Sequence, residues 1–541
     1  MQPGAHDDAD ASARVARLAA AVPAEAATVL QVGAGAGWVA AALKSRRPAP
    51  AVFGVGGAPG TTDTRLDAFH RLDLDTGPIL LEAGTVDCIV YAESLPALAD
   101  PVATLRRHRQ LLSPSGSVVC SVPNVQHHSV VRGLLRGVFP YTTGTLLDPA
   151  YRRLLTSAAT MQLLLDAGYL PDTVDRIEDL EGQGAPGAPG AGAPGPRALA
   201  AETAAAGAAL FEVLGVGVGD AERDLRTSTL VVRGVPQPEL PAGDEVPVTF
   251  VACVNDDEQL VANLARSPGL GPDGPHELLV YRGCANAAEG LNAGLARAAH
   301  DIVVFVHQDV YVPAGWATRL VAQWHEAERV GGTIGIAGVF GVLDRRVPFD
   351  AIGRVVHRDR LLAHRDLPAD VDGIDEVLMV VPRSTPLRVD PELGWHLYGT
   401  DLALQARRHG QRVVVLDAPI HHNSLTGRVP AHYRASERVI ARKWRELLPI
   451  HTNLSSIDTW LMDAPAEDAS GDGAVELDED GARPVAPDAL TGLVGRLRRE
   501  QVALNRELEQ ARLQVASMKA SPFWRARERV DALRRRLRGS R

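Results

Sequence analysis

At 541 residues the chain is too long for one ordinary core, and two or three domains are expected. Hydrophobic residues make up 45% and aromatics only 4%, so globular cores can form, while a net charge of −10 argues against a general nucleic-acid binder. Cys88, Cys120, Cys253 and Cys284 form no CxxC pair, and the first three read as core thiols of a cytoplasmic protein, in keeping with a first segment that lacks a leader pattern and with no apolar run near the ~20 residues of a membrane helix.

Residues 1–24 read as a flexible N-terminus. From residue 25, strands are predicted at 27–32, 51–55, 86–91 and 116–122. Helices lie between them, one running from the glycines at 33–37 to about Lys44 and another over 101–112. This βαβα rhythm predicts an α/β fold with a doubly wound parallel sheet. The Gly/Ala/Pro tract Gly182–Pro196 reads as a disordered loop inside that domain, which an Ala-rich helix and a strand at 228–233 complete. The domain therefore spans 25–235, with a Pro-rich and charged linker over 236–245.

A second α/β rhythm occupies 246–455. Strands are predicted at 247–254, 277–281, 302–306, 335–342 and 412–416, and helices at 288–299 and 400–409. The acidic stretch 464–487 reads as a linker to a helical tail over 488–541. From Leu490 to Met518 apolar residues alternate spacings of four and three, a coiled-coil seam of about four heptads that predicts a homo-oligomer, most simply a dimer. After Pro522, the stripe Phe523, Ala526, Val530, Leu533 and Leu537 lies among arginines. It forms a basic amphipathic end suited to peripheral contact with the inner face of an anionic membrane.

The first candidate site is the segment VLQVGAGAG at 29–37, where Gly33, Gly35 and Gly37 let a strand-to-helix turn approach a bulky ligand. The runs VDCIVYAESLPALADP at 86–101, LLSPSGSVVCSVPN at 111–124 and the segment from Tyr141 to Tyr169 give context. Together they resemble class I S-adenosylmethionine-dependent methyltransferases over residues 25–235. The resemblance implies S-adenosylmethionine as cofactor, with Asp73 at the family's acidic position near the adenine. Two departures stand out. Gln31 occupies a position that is usually acidic, and Phe53–Gly57 ends the second strand without the carboxylate that grips the ribose hydroxyls. His127 and His128, after a Pro-Asn pair, are candidate bases for an acceptor hydroxyl or else exposed loop histidines.

The second candidate site centres on His307-Gln308-Asp309, at the carboxyl end of the apolar run 302–306. Ligands of open α/β sheets bind at such strand ends, and an acid there is placed to hold a divalent cation against a phosphate. With FVACVNDD at 250–257, AEGLNAG at 288–294 and GWHLYGTD at 394–401, the region resembles the GT-A glycosyltransferases of family 2, closest to the streptomycin-biosynthesis-type branch. The resemblance implies a nucleotide-sugar donor seated by Asn255, Asp256, Asn292 and His307, with Trp395 as an acceptor-sugar platform. Asp309 matches the last acid of the family's DxD, and His307 replaces the first. The implied Mg²⁺ or Mn²⁺ takes Asp309 and one of His421 or His422; side chains alternate in an extended segment, and His422 is the preferred ligand. The resemblance places the general base at Asp401, or in another register at Gly399, with Asp375 and Glu376 as the alternatives. The expected activity is sugar transfer to a glycan or lipid-linked glycan, joined to a methyltransferase domain that is active or degenerate. The rivals are a glycan methyltransferase whose second domain only grips the glycan, and a non-catalytic scaffold.

Overall fold

The structure, a computed structural model, describes residues 14–33, 36–56, 65–178, 218–240, 245–424, 428–429, 432–459, 461 and 475–476. The Gly/Ala/Pro tract, most of the acidic linker, the heptads and the basic end lie outside the described residues, as does Gly35. Two compact units divide the chain at residue 472, and every described residue except 475–476 belongs to the first, 1–472. No helix among the described residues is long and apolar enough to cross a membrane.

The first sheet carries β1 (Thr28–Val32), β2 (Ala51–Gly56), β3 (Ala68–Arg71), β4 (Val86–Ala92), β5 (Leu112–Pro123), β6 (Tyr169–Glu178) and β7 (Thr227–Pro236). Their order is β3-β2-β1-β4-β5-β7-β6. The first five run parallel, and β7 is antiparallel to both β5 and β6. The sheet is thus Rossmann-like, with a reversed edge of the kind large sheets tolerate. Helices α1 (Ala36–Lys44), α2 (Pro101–Arg109), α3 (His128–Leu135), α4 (Ser157–Asp166) and α5 (Val218–Arg226) accompany it. Residues 14–21 are helical and bury Leu18, with Val22 buried just beyond, so the expected flexible start is ordered from residue 14 onward. Leu18 and Val22 sit one turn apart and share an inward face.

The second sheet joins β8 (Thr249–Val254), β9 (Glu277–Arg282), β10 (Ile302–Val306), β12 (Ile334–Gly338), β16 (Ala369–Asp370), β18 (Leu378–Pro382) and β19 (Arg412–Val415) in the order β16-β19-β12-β18-β10-β8-β9. It is mixed, with β18 antiparallel to β10 and β12. Helices α6 (Asp257–Ala262), α7 (Ala287–Arg297), α8 (Trp316–Gly331), α9 (Tyr398–Arg408) and α10 (Tyr433–Lys443) belong to this half. Helix α7 packs closely on β8 because Gly290 and Gly294 lie one turn apart. A Cβ at 294 would come within 2.2 Å of Val251 Cγ1. The glycines of the AEGLNAG motif therefore serve helix–sheet contact.

A third sheet was not foreseen. It links β11 (Val310–Tyr311), β20 (Ile420–His422), β14 (Ala351–His357), β13 (Phe340–Val342) and β17 (Gly373–Ile374), with β15 (Arg360–His364) on β14. The single strand predicted over 335–342 breaks at Val339 and serves both sheets as β12 and β13. The β14–β15 hairpin reaches into the first half, where Val356 joins the buried cluster built on β1, β4, β5 and β7, and Leu361 packs against it.

Candidate functional site

Asp309 lies between β10 and β11, at the rim of the second sheet. The preceding strand is apolar and buried, so its carboxyl end delivers the first polar side chains. Opposite, β20 pairs with β11 through Val310–His422 and Tyr311–His421, and with β14 through Val356–His421 and His357–His422. Alternation along β20 sends its two histidines opposite ways. His421 is fully buried and bonds Gln162 Nε2 (3.1 Å) and the Arg358 carbonyl (2.6 Å), so both its nitrogens are engaged away from the site. His422 turns to Asp309, with Nε2 3.4 Å from Oδ1. Of the two, His422 faces Asp309, and His421 points away with both nitrogens engaged.

His307, Asp309 and His422 each offer a ligand atom within 4.8 Å of the others, and Asp309 Oδ1 is buried without a hydrogen-bond partner. Burial pushes the Asp309 carboxyl up, but His422 and then His307 outweigh it and hold it well below the usual carboxylate range. Burial lowers His422, and Asp309 more than reverses this. Burial pulls His307 down. His357 is pushed down to about 4, chiefly by burial, and its Nδ1 lies 3.2 Å from His422 Nδ1. A neutral His357 accepts the His422 Nδ1 proton, which fixes the tautomer whose Nε2 faces Asp309. Two imidazoles and one carboxylate fit a divalent cation with mixed nitrogen and oxygen donors, Mn²⁺ better than Mg²⁺.

Other expected residues have different employment. Asp401 is fully buried in the first turn of α9. Its carboxylate accepts from Trp444 Nε1 (2.8 Å), Gln405 Nε2 (2.7 Å) and Lys443 Nζ (2.9 Å). With both oxygens committed away from solvent, it is a structural acid and not the base. Asn292 clamps Val389 through both ends of its amide, at 2.9 and 3.0 Å. Asp256 is the N-cap of α6, accepting from Glu258 and Gln259 amides. Asn255 remains exposed at the strand end, its position set by Gln308, which accepts from the 255 and 256 amides and donates to Asn255 Oδ1 (2.6 Å). Trp395 is 38% exposed.

The surroundings of Gly399 bear on the expected base. A Cβ at 399 would fall 2.4 Å from the Ile374 carbonyl, so no carboxylate fits there. Glu376 instead brings its Oε1 to 3.3 Å from the Gly399 amide. Burial, then the neighbouring Asp375, raise Glu376 to about 8. Asp375 itself is held by the Val377 amide (2.9 Å) and by Asn453. Tyr398, one residue before Gly399, places its hydroxyl 3.4 Å from His307 Nε2. Gln308, His357 and Tyr398 were passed over in the sequence. Gln308 lay inside the motif already singled out, whereas His357 had no local signal.

In the first half, Gly33 ends β1 with φ 113°, its amide donating to the Val55 carbonyl (3.0 Å). A Cβ there would sit 2.6 Å from Ser94 Cβ. Gly37 lies in the first turn of α1. Gln31 is fully buried in β1. Asp73 is exposed and accepts from the Asp75 amide of its own turn (2.8 Å). Glu93, just past β4, has φ 53°; its amide donates to Ser121 Oγ (3.0 Å), and Tyr151 donates to its carboxylate (3.3 Å). An acid closing an apolar strand was the available signal for Glu93. His127 and His128 are buried, neither a loop pair nor an open base. His127 caps α3, and His128 Nδ1 meets the Leu225 carbonyl (3.2 Å).

The methyltransferase domain family model matches residues 4–164, and a glycosyltransferase-like family model matches residues 249–440. The second match reaches the family and not a branch of it. A curated protein from Fuscovulum blasticum, the ATP synthase subunits region ORF 6, is 27% identical over 154 residues, 27% of this chain. The match spans 61% of that relative, less than two thirds of its length. Among solved structures, a chain of the complex between the Haloferax volcanii Trm112 methyltransferase activator and a methyltransferase is 19% identical (44% of this chain, 96% of that one, TM-score 0.30). The Burkholderia thailandensis 1,6-didemethyltoxoflavin-N1-methyltransferase, bound to S-adenosylhomocysteine, is 17% identical (43% and 83%, TM-score 0.26). The chain thus joins a methyltransferase domain to a glycosyltransferase-like domain.

Proposed function

We propose that this fusion of a methyltransferase domain and a glycosyltransferase-like domain transfers a sugar from a nucleotide-sugar donor to a hydroxyl of a glycan or lipid-linked glycan. The observation that carries the reading is Asp309. It is a strand-end carboxylate whose buried Oδ1 accepts no well-formed hydrogen bond and faces His422 and His307 inside the glycosyltransferase-like match. A divalent cation held there would neutralise the diphosphate as it leaves.

The residues divide the work. Asp309, His422 and His307 hold the cation, and His357 fixes the His422 tautomer. Asn255, positioned by Gln308, seats the nucleotide, and Trp395 offers a face to the acceptor sugar. Glu376 takes the acceptor proton as the acceptor oxygen bonds the anomeric carbon and the bond to the diphosphate breaks, with inversion in one displacement. A carboxyl raised toward neutrality is matched to that proton transfer. Gly33 and its neighbours would hold S-adenosylmethionine for methylation of the same glycan, and one chain carrying both activities raises the local concentration of the shared acceptor. The heptads and basic tail add self-association and contact with an anionic membrane to the proposal, on the sequence pattern alone.

The test is nucleotide release from a panel of nucleotide sugars with Mn²⁺, Mg²⁺ or chelator. Cation-dependent turnover, lost in folded Asp309→Ala, is the expected result. Turnover that survives the substitution, or none with any donor, overturns the reading.

A further inference from the structure

We infer that the methyltransferase domain positions the cation-binding ladder of the other domain through Gln162 and Asp166, which lock the register that turns His422 toward Asp309. The inference rests on the proposed reading of that site.

The ladder cannot hold itself. Strand β11 has two residues and meets β20 through two residue pairs, far below the length at which a strand pair is stable alone. A slip of one residue would exchange His421 for His422 on the site face. What fixes the register lies on the opposite face, where the cross-strand neighbours Tyr311 and His421 meet α4. Tyr311 donates its hydroxyl to Asp166 Oδ2 at 2.6 Å. His421 Nε2 donates to the Arg358 carbonyl, so its Nδ1 is an acceptor and Gln162 Nε2 is the donor to it. Gln162 and Asp166 are one helical turn apart and project from the same face of α4.

Arg266 closes the ring. It donates to Gln162 Oε1 at 2.8 Å, and its guanidinium lies 5.5 Å from the centre of the Tyr311 ring. Gln162 is 4% exposed, so its amide has no competing solvent. The β14–β15 turn grips β20 from its other edge. Arg358 accepts from His421, donates its amide to the His422 carbonyl (2.9 Å), and sends its side chain to Asp220 (2.8 Å) and Asp224 (3.3 Å) of α5. Both edges of the strand that carries His422 are therefore anchored on the methyltransferase domain. Gln162 and Asp166 do not belong to the triad that holds the cation. They are positioning residues.

The experiment uses the full chain and two readouts. Mn²⁺ binding is titrated by electron paramagnetic resonance, and hydrogen exchange is followed in peptides covering 307–311 and 420–423. Gln162→Ala and Asp166→Ala are expected to weaken Mn²⁺ binding about tenfold, as loss of groups that orient metal ligands does, and to speed exchange in those two peptides. Asp166→Asn keeps an acceptor for Tyr311 and should bind like wild type, whereas Gln162→Glu loses the donor to His421 and should behave like Gln162→Ala. If the alanine variants do not fold, Tyr311→Phe removes one hydroxyl and should still weaken Mn²⁺ several-fold. Wild-type binding that is unchanged in the folded variants overturns the inference while leaving the site reading intact. A wild-type protein that binds no Mn²⁺ overturns both.

Discussion

The two candidate sites are built from different materials. In the methyltransferase domain the cradle is main chain. Gly33 at φ 113° packs where any Cβ would strike Ser94, and the second strand runs out in glycines where the family places a carboxylate. In the glycosyltransferase-like domain, three imidazoles and two acids converge from β10, β14, β20 and the loop after β17. A site made of backbone is broken by adding atoms, and one made of side chains by removing them. That contrast orders the tests.

Asp309→Ala is expected to have the largest effect. Cation-dependent transfer should fall at least ~10³-fold, since neutralising a leaving diphosphate supplies several kcal/mol. A loss below tenfold would mean that the side chains of this site are not its working parts. Glu376→Gln comes next, with a fall of ~10²-fold in transfer rate. Burial foremost, then Asp375, raise this carboxyl to about 8, with Tyr398 and Tyr433 also near it. It is ionised only above that value, so the wild-type rate should climb as pH rises through about 8, and a pH–rate profile of the Gln variant should lose that limb. The sign for stability is opposite. The folded protein retains a proton that the unfolded chain releases, so stability falls as pH rises from the ordinary glutamate range to about 8. Melting curves at pH 6 and 9 should show this decline in the wild type and less of it in Glu376→Gln.

Asp401→Ala separates structure from chemistry within the same motif. Removing it leaves the buried Trp444 Nε1 without its acceptor and Lys443 held by Asp390 alone, a loss of roughly 1–3 kcal/mol for an unsatisfied buried group, read as a lower denaturant midpoint. Transfer by the protein that remains folded should stay near wild type. Gly33→Ala is the mildest change and tests the other side of the contrast. One added methyl in a left-handed conformation costs roughly 1–3 kcal/mol, and calorimetric titration should show S-adenosylmethionine binding weakened or lost. An unaffected titration would place the methyl donor elsewhere.

What was legible in the sequence was local. The apolar run 302–306 announced a buried strand, so the acid at its end was visible, and alternation favoured His422 over His421. The strand–glycine–helix turn at 28–44 was equally plain. What was hidden depends on distant partners. Asp401 looked catalytic because its helix is local, while Lys443 and Trp444 approach it from 42 and 43 residues away. Asn292 looked like a ligand because nothing nearby predicts its clamp on Val389, 97 residues on. Glu376 comes beside Gly399 only once the loop after β17 meets the start of α9. The third sheet escaped notice because most of its strands have two or three residues, too few for a period to register.

The β14–β15 hairpin bears on how the chain is made. Val356 and Leu361 belong to the interior of the methyltransferase domain, yet they are encoded about 120 residues after its last strand, β7. On the ribosome the nascent N-terminal half must wait, its interior unfinished, until the hairpin emerges. A truncation near residue 240 would leave it that way permanently, with a hydrophobic gap where the hairpin inserts.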